Sequence, residues 1–205
     1  MSEVTGRRLH LASASPRRRE ILASLGVAHS YGGTDVDETP RPGEDPGRLA
    51  LRLALEKARA ARAAVPEGTL VLAADTVVAL GGELFGKPRD EAEGVSMLLR
   101  LSGRVHTVCT GVALIDGTRE HSALSLSEVR FRPLTAEEAH AYFRTGEPLG
   151  KAGGYAIQGI GGIFVETLSG SHSGVVGLPV YETAALLREA GLDVLAGPGR
   201  PPEGQ

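Results

Sequence analysis

The chain has 205 residues, 41% of them hydrophobic, and this length and composition predict one globular domain with a substantial core. The formal net charge of −3 and the absence of Trp argue against a nucleic-acid binder, because such proteins present a basic surface or aromatic stacking positions. A single cysteine excludes an internal disulfide framework and a multi-thiolate zinc site, and no apolar run approaches the ~20 residues of a membrane span, so we expect a cytoplasmic protein without a membrane partner.

Capping residues, turns and hydrophobic periodicity divide the chain into alternating strands and helices. Strands are predicted at residues 7–12, 28–32, 69–74, 77–80, 105–115, 124–131 and 163–166. Helices are predicted at residues 16–25, 46–64, 91–101, 136–145 and 179–190. The alternation predicts a single α/β domain over residues 1–196, followed by a Gly- and Pro-rich tail, 197–205, that we expect to be disordered.

The link between the first strand and the first helix combines several features of an anion site. Ser13 and Ser15 precede Pro16, which suits the first turn of a helix, and three arginines follow at residues 17–19. Free amides, hydroxyl groups and guanidinium groups at one point could receive a phosphate. A serine cap on a solvated basic helix explains the same residues, and the local sequence leaves both interpretations open.

Asp75 is the residue in this chain best placed to carry chemistry. With Thr76 it separates the apolar strand 69–74 from the apolar run 77–80, so we expect it at a strand end, where functional groups of α/β sheets collect. A carboxylate flanked by apolar strands is unfavourable to bury without a partner or a metal. A turn-forming aspartate is the alternative, but the segment lacks the Gly or Pro typical of a turn.

Three further carboxylates lie in one loop, at Asp35, Asp37 and Glu38. Oxygen ligands on a loop suit Mg²⁺, which binds through one or two carboxylates together with the phosphates of a substrate. A solvated acidic loop is the alternative for each of the three. The spacing matches neither an EF-hand nor a P-loop.

Only three of the 22 basic residues are lysine, namely Lys57, Lys87 and Lys151. The chain uses arginine wherever a general surface cation suffices, although the two side chains differ chemically. The three lysines are therefore candidates for specific roles, with chance survival as the alternative. Helical spacing on the predicted helix 46–64 brings Glu56 and Lys57 towards a cleft.

The chain resembles the Maf family from about residue 7 to residue 187, because ten short motifs occur in the order found in that family. The motifs are Ser13-Ala14-Ser15-Pro16-Arg17-Arg18, Glu56-Lys57-Ala58, Ala74-Asp75-Thr76-Val77, Gly86-Lys87-Pro88, Ser102-Gly103, Thr110-Gly111-Val112, Gly146-Glu147-Pro148, Lys151-Ala152-Gly153, Ile157-Gln158-Gly159 and Val176-Gly177-Leu178-Pro179. The resemblance implies a mixed twisted sheet flanked by helices, as in inosine triphosphatases, with a central cleft. It also implies a homodimer that hydrolyses a nucleoside triphosphate to the monophosphate and pyrophosphate with Mg²⁺ or Mn²⁺.

The resemblance also implies residue roles. Asp75 becomes the proposed base, with Lys57 and Lys87 as the two lysines of the site. Glu38 and Asp75 become the metal ligands. The residues implied to contact the substrate are Ser13, Ser15, Arg17, Arg18, Thr76 and Gln158.

The branch of the family is indicated by the segment from Tyr155 to Gly159, which 7-methyl-GTP pyrophosphatases lack. The resemblance therefore favours a dTTP/UTP pyrophosphatase. Three departures fall on loops near the expected base pocket. Gly150 stands where that branch usually has Asp, and His172 where it usually has an aromatic residue. The run Gly153-Gly154-Tyr155-Ala156 replaces Gly-Ala-Tyr-Gly. The alternatives are a 7-methyl-GTP pyrophosphatase and a non-catalytic, nucleotide-binding regulator of septum formation.

Overall fold

A computed structural model describes residues 7–195, so the predicted disorder of the tail, 197–205, lies outside the described residues. The strands are β1 Leu9–Leu11, β2 Ser30–Tyr31, β3 Leu70–Leu80, β4 Glu83–Phe85, β5 Val105–Asp116, β6 Arg119–Phe131 and β7 Val165–Ser169. The helices are α1 Pro16–Ser24, α2 Pro46–Arg62, α3 Glu91–Leu101, α4 Ala136–Phe143, α5 His172–Val176 and α6 Val180–Glu189. Short 3₁₀ turns cover Ala152–Gly154 and Ile160–Phe164.

Within residues 7–195, seven strands form one mixed sheet in the order β2-β1-β3-β5-β6-β7, with β4 folded back onto β3. The first three strands of this order are parallel, and the long β3-β5-β6 part is antiparallel. The predicted mixed α/β sheet flanked by helices is confirmed. None of the helices in this part of the chain is both long and apolar enough to traverse a lipid bilayer.

Several helix boundaries follow from residues that the sequence marks as caps. Asp45 accepts a hydrogen bond from the amide of Arg48 at the start of α2, and Asp90 caps α3 in the same way. Thr135 and Glu138 form a capping box at the start of α4, in which each side chain bonds to the backbone amide of the other residue. The capping residues therefore fix where the helices begin around the sheet.

The position of Asp75 in its strand differs from the prediction. It does not end a strand: β3 runs unbroken from Leu70 to Leu80, and Asp75 pairs with Gly111 of β5. The pairing with β5 continues across the polar residues. Gly111 lets α2 approach the sheet closely at this point, because a Cβ there would lie 2.4 Å from the carbonyl oxygen of Ala50. The break in the apolar pattern therefore marks a polar position in mid-strand, not a strand end.

The alternation of β3 determines which helix each polar side chain meets. Leu72 packs in the core shared with α1 and α6, whereas Val71 packs against α2 on the other face. Successive strand residues point to opposite faces, so Asp75 faces α2 and Thr76 faces the side of α1. Both faces are covered, as the continuous apolar pattern predicts.

Candidate active site

A cleft of about 680 Å³ opens along β3, a volume suited to a small-molecule ligand. Its lining includes every residue to which the resemblance gives a role: Ser13, Ser15, Arg17, Arg18, Glu38, Lys57, Asp75, Thr76, Lys87 and Gln158. Lys151 lines it as well. Five cationic side chains thus surround two carboxylates, which makes the cleft attractive to a polyanion.

The charged cluster of the cleft consists of Glu38, Lys57 and Asp75. The ammonium group of Lys57 lies 2.6 Å from Asp75 Oδ1 and 2.6 Å from Glu38 Oε1. The side chains of Lys57 and Asp75 are only 12% and 11% exposed. One buried ammonium group therefore holds two carboxylates from different segments, the strand β3 and the loop before α2.

Lys87 extends the charges of this cluster towards solvent. Its Nζ lies 3.7 Å from Glu38 Oε2, and its side chain is 61% exposed. Burial by itself would raise the pKa of Glu38, but the bonds and charges of Lys57 and Lys87 outweigh it and lower that pKa. Glu38 is therefore ionised at neutral pH.

Arg18 presents its guanidinium group to the cleft while being held on all three nitrogens. Nε donates to the carbonyl of Gly177 at 2.8 Å, Nη1 to Ser13 Oγ at 3.3 Å and Nη2 to Thr76 Oγ1 at 3.3 Å. All three acceptors are neutral. Burial lowers the pKa of Arg18, and the nearby Asp75 carboxylate partly offsets this effect.

A chain of hydroxyl groups fixes the orientation of Thr76. Thr110 Oγ1 lies 2.8 Å from the carbonyl oxygen of Gly174 and 3.0 Å from Thr76 Oγ1. Each hydroxyl has one proton, so the Thr110 proton goes to Gly174, and Thr76 donates to Thr110 while accepting from Arg18. In the sequence, Thr110 belongs to the motif Thr110-Gly111-Val112 and receives no role. It lies opposite Thr76 in the β3–β5 pairing, which the local sequence does not reveal.

The serines and arginines before and within α1 separate into cleft and surface residues. Ser15 makes no side-chain capping bond, and Ser13 Oγ accepts from the amide of Ser15 and from Arg18, so these serines are not simple helix caps. Arg17 lines the cleft and donates to the carbonyl of Val176. Arg19 instead stacks over the ring of Tyr31. The geometry favours the anion-receptacle interpretation for Arg17 and Arg18.

Other charged residues named by the sequence analysis lie away from the cluster. Asp37 accepts from the amide of Thr39, and neither it nor Asp35 lines the cleft. Glu56, expected near the cleft, pairs with Arg41 and Arg52. Among Asp35, Asp37, Glu38 and Glu56, only Glu38 belongs to the charged cluster together with Asp75.

The glycine-rich segment, residues 150–162, forms another part of the lining and carries Gln158. Glu147 and Tyr142, which lie outside this segment, hold it by hydrogen bonds to its backbone. In the sequence, Glu147 appears only within the motif Gly146-Glu147-Pro148, without a role, and Tyr142 is not identified. The run of glycines is the available signal, and the structure explains one of them, because a Cβ at Gly159 would lie 1.9 Å from Glu147 Oε1.

The donor set of the cluster fits a hard divalent cation. The site has two carboxylates that converge on one cation, the ammonium group of Lys57. No group of three or more His, Cys, Asp or Glu side chains suited to a metal occurs within residues 7–195. Mg²⁺ commonly binds in this way, with one or two carboxylates and the remaining ligands from substrate and water.

Fold and site together define an α/β protein with a cationic cleft around two paired carboxylates. The family described as Maf-like protein matches residues 8–190. The chain belongs to the Maf family, as its ordered motifs predict.

Two relatives are similar over nearly their whole length. A protein from Myxococcus xanthus is 54% identical over 184 residues, which cover 90% of this chain and 93% of the relative. A protein from Novosphingobium aromaticivorans is 57% identical over 189 residues, covering 91% and 93%. Both relatives are named dTTP/UTP pyrophosphatase.

Among solved structures, that of the Staphylococcus aureus Ham1 protein is similar over 61% of this chain and 72% of that chain. The TM-score is 0.44 and the sequence identity 17%.

Proposed function

We propose that this protein is a nucleoside triphosphate pyrophosphatase that hydrolyses dTTP and UTP to the monophosphate and pyrophosphate. The observation that carries the proposal is that Arg18, half-buried and bonded only to neutral acceptors, lies in one cleft with the charged cluster. A half-buried guanidinium group that has no hydrogen-bonded carboxylate partner is suited to a phosphate oxygen. The names of the relatives and the membership of the Maf family support the same activity.

In the proposed reaction, a water oxygen attacks the α-phosphorus and the bond from that phosphorus to the bridging oxygen breaks. Pyrophosphate leaves in line with the attack, and the water proton passes to the Asp75 carboxylate. Lys57, which donates to Asp75 Oδ1 at 2.6 Å, orients this base. Phosphoryl transfer of this kind depends mainly on positioning and on stabilising charge.

The remaining site residues bind the substrate in this proposal. Arg17, Arg18 and Lys87 stabilise negative charge on the phosphate oxygens. Ser13 and Ser15 form the receptacle beside the start of α1, together with the backbone amides. Thr76 and Gln158 contact the nucleoside, as the resemblance to the dTTP/UTP branch implies.

A divalent cation, Mg²⁺ or Mn²⁺, fits this scheme at Glu38 and Asp75. When bound, such an ion supplies charge neutralisation for the triphosphate. The ammonium group of Lys57 contacts both the Glu38 and the Asp75 carboxylates and reduces the repulsion between them. The two carboxylates are the donors that this chain contributes.

Release of pyrophosphate tests the proposed function directly. The purified protein is incubated with dTTP, UTP, CTP, ATP, GTP and 7-methyl-GTP, each with Mg²⁺, with Mn²⁺ and with EDTA. We expect metal-dependent release that is fastest with dTTP and UTP. Fastest release from 7-methyl-GTP would assign the other branch of the family, and saturable binding without release would assign the non-catalytic regulator.

We also propose a homodimer in the cytoplasm, without a nucleic-acid or membrane partner. Light scattering coupled to size-exclusion chromatography should give twice the chain mass of 21.3 kDa. The prediction of a single domain over residues 1–196 is tested by a chain truncated after residue 196, which should keep full activity.

A further inference from the structure

The loop that carries Gln158 is held at both ends by a pair of residues outside it, Tyr142 and Glu147. The amide of Ala156 donates to Tyr142 Oη at 3.1 Å. On the other side of Gln158, the amide of Ile160 donates to Glu147 Oε1 at 3.0 Å. Gln158 therefore lies midway between two anchored positions, two residues from each.

Glu147 receives three hydrogen bonds on its two carboxylate oxygens. Besides the amide of Ile160, the amide of Gly161 donates to Oε2 at 2.8 Å, and the Tyr142 hydroxyl donates to Oε2 at 2.5 Å. Burial tends to raise the pKa of Glu147, but these bonds outweigh it and lower that pKa. The Glu147 carboxylate is thus ionised, and both of its oxygens accept hydrogen bonds from the loop backbone.

The close approach of the carboxylate explains the glycines of the loop. A Cβ at Gly159 would lie 1.9 Å from Glu147 Oε1, and one at Gly161 would lie 2.5 Å from Tyr142 Oη. Side chains at either position would push the anchors away. The absence of side chains at Gly159 and Gly161 therefore lets the Glu147 carboxylate and the Tyr142 hydroxyl group contact the backbone of the loop.

Tyr142 and Glu147 are themselves held in place by contacts with neighbouring groups. Tyr142 is buried on α4 and packs edge-to-face against Phe164, with ring centroids 5.0 Å apart. The backbone carbonyl of Glu147 accepts a hydrogen bond from Lys151, which lines the cleft. Glu147 thus contacts the Lys151 side chain through its carbonyl and, through its carboxylate, the backbone that follows Gln158.

The chemistry of the base explains why such a loop must be fixed. Uracil and thymine present an N–H between two carbonyl oxygens, whereas cytosine presents an acceptor nitrogen beside an amino group. A glutamine amide has both a donor and an acceptor, and it can match either edge by turning over. Hydrogen bonds to the backbone on both sides of Gln158 restrict where this amide can lie relative to the base, and a restricted position favours pairing with one edge over the other.

We propose that Glu147 is a positioning residue for base selection, which fixes the Gln158 loop so that the cleft distinguishes uracil and thymine from cytosine. This inference rests on the proposed function. It assigns no contact with the reacting atoms to Glu147. Its effect should fall on the nucleoside end of the substrate and leave the phosphate end unchanged.

The variant Glu147→Gln tests this directly. The glutamine keeps the shape but replaces one acceptor oxygen by an NH₂ donor, so at least one of the three donors loses its partner. We expect the ratio of kcat/KM for UTP over CTP to fall about five- to tenfold, chiefly through KM for UTP. Inhibition by inorganic tripolyphosphate, which has no base, should stay within about twofold of the wild type.

Glu166→Gln is the matched control, because Glu166 is an exposed glutamate on the neighbouring strand β7. It should leave both measurements unchanged. Tyr142→Phe is the second variant; it keeps the ring that packs on Phe164 and removes only the hydroxyl. It should lower the UTP/CTP ratio in the same direction, so the inference stays testable if Glu147→Gln does not fold.

The outcomes separate the inference from the proposed function. A wild-type protein that releases no pyrophosphate from any nucleotide would overturn the proposed function. A selective wild type whose selectivity is unchanged in both variants would overturn the inference alone. Equal weakening of UTP hydrolysis, CTP hydrolysis and tripolyphosphate inhibition would also overturn it, because that pattern marks a merely structural role.

Discussion

The charged cluster and the glycine-rich segment line the same cleft but are built in different ways. Asp75 and Lys57 lie on long regular elements, β3 and α2, and the alternation of the strand brings the carboxylate to the helix. Gln158 lies on a loop with little regular structure, and hydrogen bonds that the loop amides donate to Glu147 and Tyr142 determine its place. The first region is fixed by secondary structure, the second by a few side chains.

This difference indicates a division of labour within the proposed enzyme. A reacting carboxylate must keep its position in every turnover, which favours a buried strand in the middle of a sheet. A base-reading residue differs between branches of a family, and loops tolerate such change better than strands do. If the division holds, changes in the charged cluster affect turnover and changes in the glycine-rich segment affect selectivity.

The largest effect is expected from Asp75→Asn, which keeps the size of the side chain and removes its charge. A base that no longer accepts a proton should lower kcat with UTP by about 10²-fold or more, with the UTP/CTP ratio unchanged. Steady-state kinetics measure both quantities. Asp35→Asn is the control, since Asp35 is exposed and does not line the cleft. Turnover close to that of the wild type would remove Asp75 from its proposed role.

The next largest effect is expected from Gly159→Ala, in the other region. The added Cβ would meet Glu147 Oε1 at 1.9 Å, so the loop or the carboxylate must move. We expect KM for UTP to rise about tenfold, with kcat reduced far less than in Asp75→Asn. Gly32→Ala is the control, because its Cβ would make only an ordinary 3.5 Å contact with His10. Loss confined to kcat would contradict the division of labour.

The two regions also differ in how far the sequence predicts them. The cap at Asp45 and the helical spacing place Lys57 correctly from local sequence, and the polar interruption identifies Asp75. The strand end predicted at Asp75 was wrong because the partner strand β5, which continues the pairing, is distant in sequence. Local periodicity contains no information about such a partner.

The glycine-rich segment is harder to predict for the same physical reason. The turn from Ala156 to Gly159 is local, but its anchors Tyr142 and Glu147 lie ten or more residues earlier, on and just after α4. The family motif Ile157-Gln158-Gly159 identifies Gln158 but does not indicate which residues hold its loop in place. The five-residue helix α5 was also not predicted, since one turn of helix leaves almost no periodic pattern.

A smaller effect is expected from Lys87→Arg, which tests how far the charged cluster extends. Lys87 is mostly exposed and lies 3.7 Å from Glu38, so its contribution is that of a partly screened point charge. A guanidinium group keeps the charge but not the compact shape, and we expect kcat/KM to fall about fivefold. Arg89→Lys, two positions away on the exposed surface, should have no effect on the same kinetics. Full activity in Lys87→Arg would make Lys87 a general surface cation.

The smallest effect concerns the loop that brings Glu38 to the cluster, because ion pairs attach this loop to α2. Glu44 accepts from Arg52 and from the amide of Arg41, and these bonds lower the pKa of Glu44 from 4.5 to about 2. Arg52 also donates to the carbonyl of Thr39, next to Glu38. Glu44 is therefore one of two carboxylates that tie the loop to the helix; the other is Glu56 of α2, which pairs with Arg41.

The sign of the pH effect follows from that lowered pKa. The stabilisation from Glu44 is complete above its ordinary pKa of 4.5 and is lost as the pH falls towards about 2. Glu44→Gln should lower the urea midpoint slightly at pH 7, and its curve should meet that of the wild type near pH 2. Glu67→Gln, at an exposed glutamate before β3, should follow the wild type throughout. A constant offset for Glu44→Gln at every pH would mean that the shape of the Glu44 side chain, and not its charge, attaches the Glu38 loop to α2.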